Sequence, residues 1–298
     1  MAAQSPSSRL KVRTYKTATA FRRALEDHLA IFARKEHVDL QRIRRQVAFD
    51  RLLARLFAGG NPPWILKGAY ALELKFHAAR TTKDIDLGLE RSPASEDARP
   101  IDEALLEILQ TAAANDLGDF FVFLIGEPTM DLDAAPYCGS RYPVDSLVAG
   151  RIFARFHLDV GIGDSQREPP EIVAPRDWLG FAGISAPSIP SISREEHFAQ
   201  KLHAYTLPRE GQPDSRVKDL IDLVLLIDSG SLDSDRLRNA VRITFERRAT
   251  HQVPPSLVPP PEFWRPVFQR LAEECGISPD INAQFKKVGT YFDAHVCG

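Results

Sequence analysis

Trp64-Ile65-Leu66-Lys67-Gly68, then Arg80-Thr81-Thr82-Lys83-Asp84-Ile85-Asp86-Leu87-Gly88-Leu89, is the stretch on which the fold turns. Trp64 to Leu66 is a short apolar run closed by Lys67-Gly68, and residues 69–76 follow with helical spacing. Asp84 to Leu89 alternates polar and apolar residues, the pattern of a half-buried strand. Successive side chains on a strand point to opposite faces, so Asp84 and Asp86 share one face while Ile85 and Leu87 take the other. Two carboxylates so close raise one another's pKa unless a cation sits between them. Magnesium is the cation expected, because it prefers hard oxygen ligands and binds through a few carboxylates plus substrate phosphates.

Outward from this stretch, residues 9–55 read as helical in two runs. Phe21, Leu25, Leu29 and Phe32 mark the first; Ile43, Val47, Leu52, Leu53 and Leu56 mark the second, after Asp39 as N-cap. Downstream, 101–115 reads as a helix, and 120–125, 141–147 and 152–160 read as strands. Asp159 lies mid-strand in Phe156-His157-Leu158-Asp159-Val160, where a lone carboxylate is costly. A neighbouring strand that brings it beside Asp84 and Asp86 would complete a three-carboxylate, two-metal site for phosphoryl or nucleotidyl transfer. The competing reading leaves Asp84 and Asp86 on the surface of an edge strand, with Asp159 paired to an arginine.

Residues 169–193 are rich in Pro and Ser and read as a linker. Helices follow at 194–206 and 215–228, with two more near 233–248 and 262–275. The expected organisation is a disordered lead (1–8), a mixed α+β lobe opened by basic helices (9–168), the linker, and an all-helical C-terminal lobe (194–298).

Composition narrows the class. Hydrophobic residues make up 44% and charged residues 26%, as in ordinary globular proteins, which argues against a disordered or fibrous chain. No apolar run is long enough to span a bilayer, and the N-terminus has no apolar segment after its basic residues, so neither a membrane partner nor a secretory signal is expected. Cys138, Cys275 and Cys297 form no CxxC pair and read as structural thiols of a reducing cytoplasm. A monomer is the default.

The 38 Lys+Arg against 40 Asp+Glu leave a net charge of −2, which hides opposite halves. Arg9 to Arg55 holds 13 Lys+Arg against 5 Asp+Glu, a balance of +8. Asp84 to Asp145 holds 3 against 14, a balance of −11, and Arg236, Arg238, Arg242, Arg247 and Arg248 form a second basic cluster. Basic regions flanking an acidic lobe suit a phosphodiester polymer leading its end into a metal site; the plainer reading is two solvated faces.

The chain also resembles a family. Lys67-Gly68, a helix carrying Ala71-Leu72-Glu73-Leu74, and Arg80 through Asp86 form one block. His197-Phe198-Ala199-Gln200-Lys201-Leu202-His203-Ala204 with Arg216-Val217-Lys218-Asp219-Leu220-Ile221-Asp222-Leu223 form another. In this order they resemble the AbiEii/AbiGii nucleotidyltransferase toxins, which include the mycobacterial MenT toxins and belong to the polymerase-beta-like nucleotidyltransferase superfamily. The resemblance implies a nucleotidyltransferase fold for the first lobe, with magnesium at Asp84 and Asp86. It also implies that Asp159 is a further ligand or the base, that Lys201 reaches the triphosphate, and that Asp219 completes the site. Gly68, Ala69, Arg80, Thr82, Arg216 and Asp222 would join Lys201 around the nucleotide.

The implied activity is that of a toxin of a toxin–antitoxin system. Such a toxin moves NMP from an NTP, often a pyrimidine, onto the 3′ acceptor end of tRNA, blocks translation and is held by a cognate antitoxin. Gly68-Ala69-Tyr70 departs from the family's Gly-Gly or Gly-Ser turn, which a small hydroxyl residue follows; Thr81 or Thr82 could supply the hydroxyl. Arg80 could face phosphate or pair with Glu73, and Lys201 could form an interhelical salt bridge with Asp219 or Asp222. Two other functions stay open: the same chemistry on a small-molecule or protein acceptor, and a catalytically silent member. His157, His197 and His203 have no partner at metal or triad spacing, and Trp264 reads as a packing anchor.

Overall fold

The computed structural model describes residues 13–59, 62–76, 80–90, 100–131, 138–163, 169–208, 216–230 and 232–297; the expected disordered lead lies outside them. Two helices open the described chain. α1 (Ala18–Glu36) is capped by the Thr17 hydroxyl, and α2 (Leu40–Leu56) by Asp39, whose carboxylate accepts the Arg42 N–H at 2.7 Å. Their apolar stripes share one buried core with the sheet.

The strands are β1 (Trp64–Lys67), β2 (Asp84–Leu89), β3 (Phe121–Ile125), β4 (Met130–Asp131), β5 (Cys138–Val148), β6 (Arg151–Ile162), β7 (Glu171–Val173) and β8 (Ile189–Ser191). They form one mixed sheet in the order β3-β5-β6-β2-β1-β8-β7, with β4 beside β5. β2 runs parallel to β6 and β1 parallel to β8, while the remaining pairs are antiparallel. β2 is therefore an interior strand, not an edge. Between β1 and β2 stands α3 (Gly68–Phe76), and between β2 and β3 stands α4 (Ile101–Ala113).

β5 and β6 form a hairpin whose two turn residues, Ala149 and Gly150, both have positive φ (53° and 66°), as a tight right-twisted turn demands. Leu147 faces Ile152 and Ser146 faces Ala154, so Phe153 is an extra residue that shifts the register by one. The 169–193 stretch carries β7 and β8 rather than serving only as a linker. Three-residue strands are too short to show alternation, and Pro190 disguises the second.

Ser193 and Glu196 form a reciprocal capping box that starts α5 (Arg194–Thr206). α6 (Val217–Asp228), α7 (Ser234–Arg248), α8 (Arg265–Cys275) and α9 (Ile281–His295) complete a helical lobe around a second core that includes Phe198, Leu220, Val224, Phe268 and Phe292. α3 serves both cores: Tyr70, Ala71 and Leu74 pack into the first and Leu72 into the second. Trp264 is buried in the second core, as an anchor should be. The architecture is α+β, and no helix of the described residues is long and apolar enough to cross a membrane.

Much of the basic N-terminal region is turned inward. Arg22 donates to the carbonyls of Val148, Arg151 and Ile152 at 2.8 to 3.0 Å. Arg51 and Arg55 clasp the buried Asp119 at 2.7 and 2.6 Å, and Arg44 pairs with Glu26 at 2.6 Å. These arginines fasten helices to one another and to the sheet, so the balance of +8 overstates what that region offers a polyanion.

Candidate active site

The β2/β6 register sets the strand side of the site. Asp84 faces His157 and Asp86 faces Asp159, so all three carboxylates lie on one sheet face while Ile85, Leu87, Leu158 and Val160 fill the core behind it. Arg141, the register partner of Asp159 on β5, takes both of its oxygens at 2.7 Å and stands 3.7 Å from Asp84. His157 Nδ1 lies 3.2 Å from Asp84, so this histidine has a partner that sequence spacing did not show. Desolvation in the cleft, then the charge of Asp159, pushes the Asp86 carboxyl up to about 6.

The β1-to-α3 turn closes against this face. Gly68 has φ +70°, and a Cβ there would overlap the Asp86 carboxylate, so only glycine allows the approach. Tyr70, in the first turn of α3, points the other way. Its hydroxyl donates to the buried Asp50 of α2, and burial pushes both groups well above their ordinary pKa values. It therefore plays no hydroxyl role toward phosphate.

The opposite wall comes from the helical lobe. Lys201 on α5 lies 2.8 Å from Asp222 and 3.3 Å from Asp219, both on α6 at a spacing that shares one face. Arg216 holds Asp219 at 2.7 Å. Arg80 pairs with Asp222 through two hydrogen bonds of 3.1 and 3.0 Å, not with Glu73, which pairs with Arg42 instead. Burial alone would raise the Asp222 carboxyl, but Arg80 and Lys201 outweigh it and hold it at about 2. Burial would likewise lower Lys201, yet Asp222 and Asp219 keep it raised and fully charged.

Between the walls lies a cleft of about 260 Å³ that brings together Gly68, Asp86, Asp159, Lys201, Arg216 and Asp219. Asp84 stands beside it on the same sheet face. Ala69 is buried in the first turn of α3, Arg80 and Asp222 are buried between the lobes, and Thr82 bonds to the backbone of Asp84. Thr81 is tied to Glu274. Neither threonine lines the cleft.

Lys67, His197, Gln200 and Arg248, to which the sequence pattern assigns no site role, also line it. His197, Gln200, Lys201 and Ala204 recur at helical spacing, a signal that one face of α5 looks into the site. Burial, then Lys75 and Lys201, holds the His197 imidazole well below its ordinary pKa, which keeps it neutral.

The donor set fits a hard divalent cation: three carboxylates converge from two adjacent strands, with a glycine cleared beside one of them. Among the described residues no three His, Cys, Asp or Glu side chains already stand at ligand geometry, and Arg141 holds Asp159. The helical wall supplies cations for a triphosphate. Carboxylates on one wall facing cations on the other are the side-chain types that a metal–nucleotide complex calls for.

No curated protein matches the sequence. Among solved structures, MenT4, a nucleotidyltransferase toxin from Mycobacterium tuberculosis H37Rv, matches with a TM-score of 0.57 at 16% identity, over 92% of this chain and 99% of its own. That likeness shows a shared fold. JHP933 from Helicobacter pylori matches over 86% of this chain and 98% of its own, at 16% identity and a TM-score of 0.35, too distant to bear on the site. In sequence, residues 51–289 match the family described as nucleotidyl transferase AbiEii toxin, type IV toxin–antitoxin system. That span takes in both walls of the cleft, and the chain belongs to the AbiEii nucleotidyltransferase toxin family.

Proposed function

We propose that the protein is a magnesium-dependent nucleotidyltransferase that moves NMP, preferably a pyrimidine nucleotide, from an NTP onto the 3′ acceptor end of tRNA. Blocked acceptor ends would halt translation and growth, and a cognate antitoxin would hold the activity in check. The observation that carries this reading is the placement of Asp86 and Asp159 side by side across β2 and β6, facing Lys201 and Asp219 over one cleft.

Asp84, Asp86 and Asp159 would hold the metal. When bound, it offsets the charge of the triphosphate and acidifies the attacking hydroxyl. Lys201 and Arg216 face the phosphates, and Asp219 keeps both cations on that wall. Gly68 lets the backbone at the start of α3 come close to phosphate oxygens. The 3′ oxygen of the acceptor bonds to the α-phosphorus as the bridge to the β-phosphate breaks. Pyrophosphate leaves, and the hydroxyl proton passes to a strand carboxylate, with Asp159 the candidate base.

Support for RNA as acceptor comes from the family resemblance and from Lys67, Arg216 and Arg248 lining the cleft. The test is incubation with each labelled NTP and either total tRNA or total protein, with Asp84→Ala alongside. Label on tRNA that is lost in Asp84→Ala is expected. Label on protein alone would move the acceptor to a side chain, and label on neither would point to a silent member.

A further inference from the structure

Arg141 stands on the strand face, yet the chemistry above gives it no role. It projects from β5 on the side opposite Tyr142 and Val144, whose side chains fill the core. Its guanidinium grips both oxygens of Asp159 at 2.7 Å and reaches to within 3.7 Å of Asp84. One cation therefore spans carboxylates of two strands, the place where a divalent ion would have to sit. The arginine is not locked in: its side chain is 27% exposed, against 10% for Asp159.

We infer that Arg141 is a positioning residue that holds Asp84 and Asp159 in the ligand array before metal arrives, and releases Asp159 when a triphosphate is present to take its guanidinium. This rests on the reading of Asp84, Asp86 and Asp159 as metal ligands.

The physics is competition for one carboxylate. A bidentate, charge-assisted pair must open before Asp159 can ligate a metal, so metal alone binds against that cost. A triphosphate brought to Asp159, which lines the cleft, would offer the displaced guanidinium new anionic oxygens beside its old partner, which lowers the cost when both enter together. Metal and nucleotide are then coupled, and the coupling is reciprocal. Without Arg141, three carboxylates would face each other with less cationic compensation, and a divalent ion would enter more readily.

The probe is Mn²⁺, with the free ion counted by electron paramagnetic resonance. Wild type, Arg141→Gln and Arg141→Lys are compared with and without an α,β-methylene NTP analogue, after correction for Mn²⁺ bound by analogue alone. Arg141→Gln is expected to bind Mn²⁺ alone at least tenfold tighter than wild type, and the analogue should add correspondingly less. Arg141→Lys keeps the charge without the fork and should fall between the two. It carries the comparison if the glutamine variant does not fold. Melting temperature provides a second readout, since Mn²⁺ should raise it more in Arg141→Gln than in wild type.

Unchanged or weaker Mn²⁺ binding in both variants, while wild type binds Mn²⁺ with analogue, would show Arg141 to be a fixed tie and overturn the inference alone. No Mn²⁺ binding by wild type even with analogue would overturn the metal-site reading, and the inference with it.

Discussion

The two walls of the cleft treat their carboxylates in opposite ways. On the helical wall, Asp219 and Asp222 are met by Arg80, Lys201 and Arg216, three cations for two acids, and Asp222 is held at about 2. On the strand wall, Arg141 leans on Asp159 near Asp84, while at Asp86 burial and the charge of Asp159 outweigh Lys67 and Lys201 and push the carboxyl up to about 6. In a group so well compensated, loss of one partner leaves a buried charge unmet, which is costly to the fold. A group with surplus negative charge stands ready for a cation from outside. The comparison therefore separates a wall whose charges are already matched, and which can turn cations toward a triphosphate, from a wall whose carboxylates are not matched.

The largest effect should come from Asp86→Asn. It removes a proposed metal ligand while keeping shape, and transfer should fall about a thousandfold, some 4 kcal/mol of transition-state stabilisation. Stability of the metal-free protein should move the other way. A carboxyl raised from the usual range to about 6 contributes stability below its unfolded value and loses it as pH rises through 6. At pH 7.5 the substitution should therefore hold or raise the metal-free unfolding free energy, by on the order of 1 kcal/mol after solvent screening, read as an unchanged or higher melting temperature. A clear drop in melting temperature would mean that the strand wall is structural too.

Arg80→Met is the matching break on the helical wall. It keeps bulk but leaves Asp222 buried beside Lys201 alone, and should cost about 3 kcal/mol in urea unfolding. A loss under 1 kcal/mol would remove the distinction between the walls. The same pair sets an acid limb. Asp222, held at about 2, contributes stability that is complete above the unfolded carboxylate range near 4 and is lost as pH falls through 2. That limb should amount to about 2 kcal/mol between pH 4.5 and 2, and should be absent in Asp222→Asn.

How much of this was legible in the sequence follows the range of the signal. Period-two alternation put Asp84 and Asp86 on one face, and helical spacing put Asp219 and Asp222 on another; both are local and both hold in the structure. The Arg141–Asp159 contact depends on one bulged residue. Carried from Val148 opposite Arg151 without the extra Phe153, the register would set Arg141 against Leu158, on the wrong face. Arg80 and Asp222 lie 142 positions apart, and no local pattern joins them. β7 and β8 are too short to announce themselves, and charge counts along the chain could not say that Arg51 and Arg55 close on Asp119. What escaped was tertiary: register, pairing and the direction a long side chain takes.

Tyr70 gives the smallest effect and the sharpest boundary between the walls' chemistry and the scaffold beneath. It stands where the family's phosphate-binding turn carries a small hydroxyl residue, so sequence alone could make it a nucleotide contact. In the structure its ring is buried and packs edge-on to Phe49, with centroids 4.8 Å apart, and its hydroxyl meets Asp50 beneath the turn. Tyr70→Phe should thus cost about 1 kcal/mol of stability, since it strands one buried acceptor on Asp50. It should leave KM for the NTP unchanged in steady-state transfer assays. A several-fold rise in KM with unaltered stability would place the hydroxyl in the nucleotide site and put the turn, not the metal face alone, in charge of triphosphate recognition.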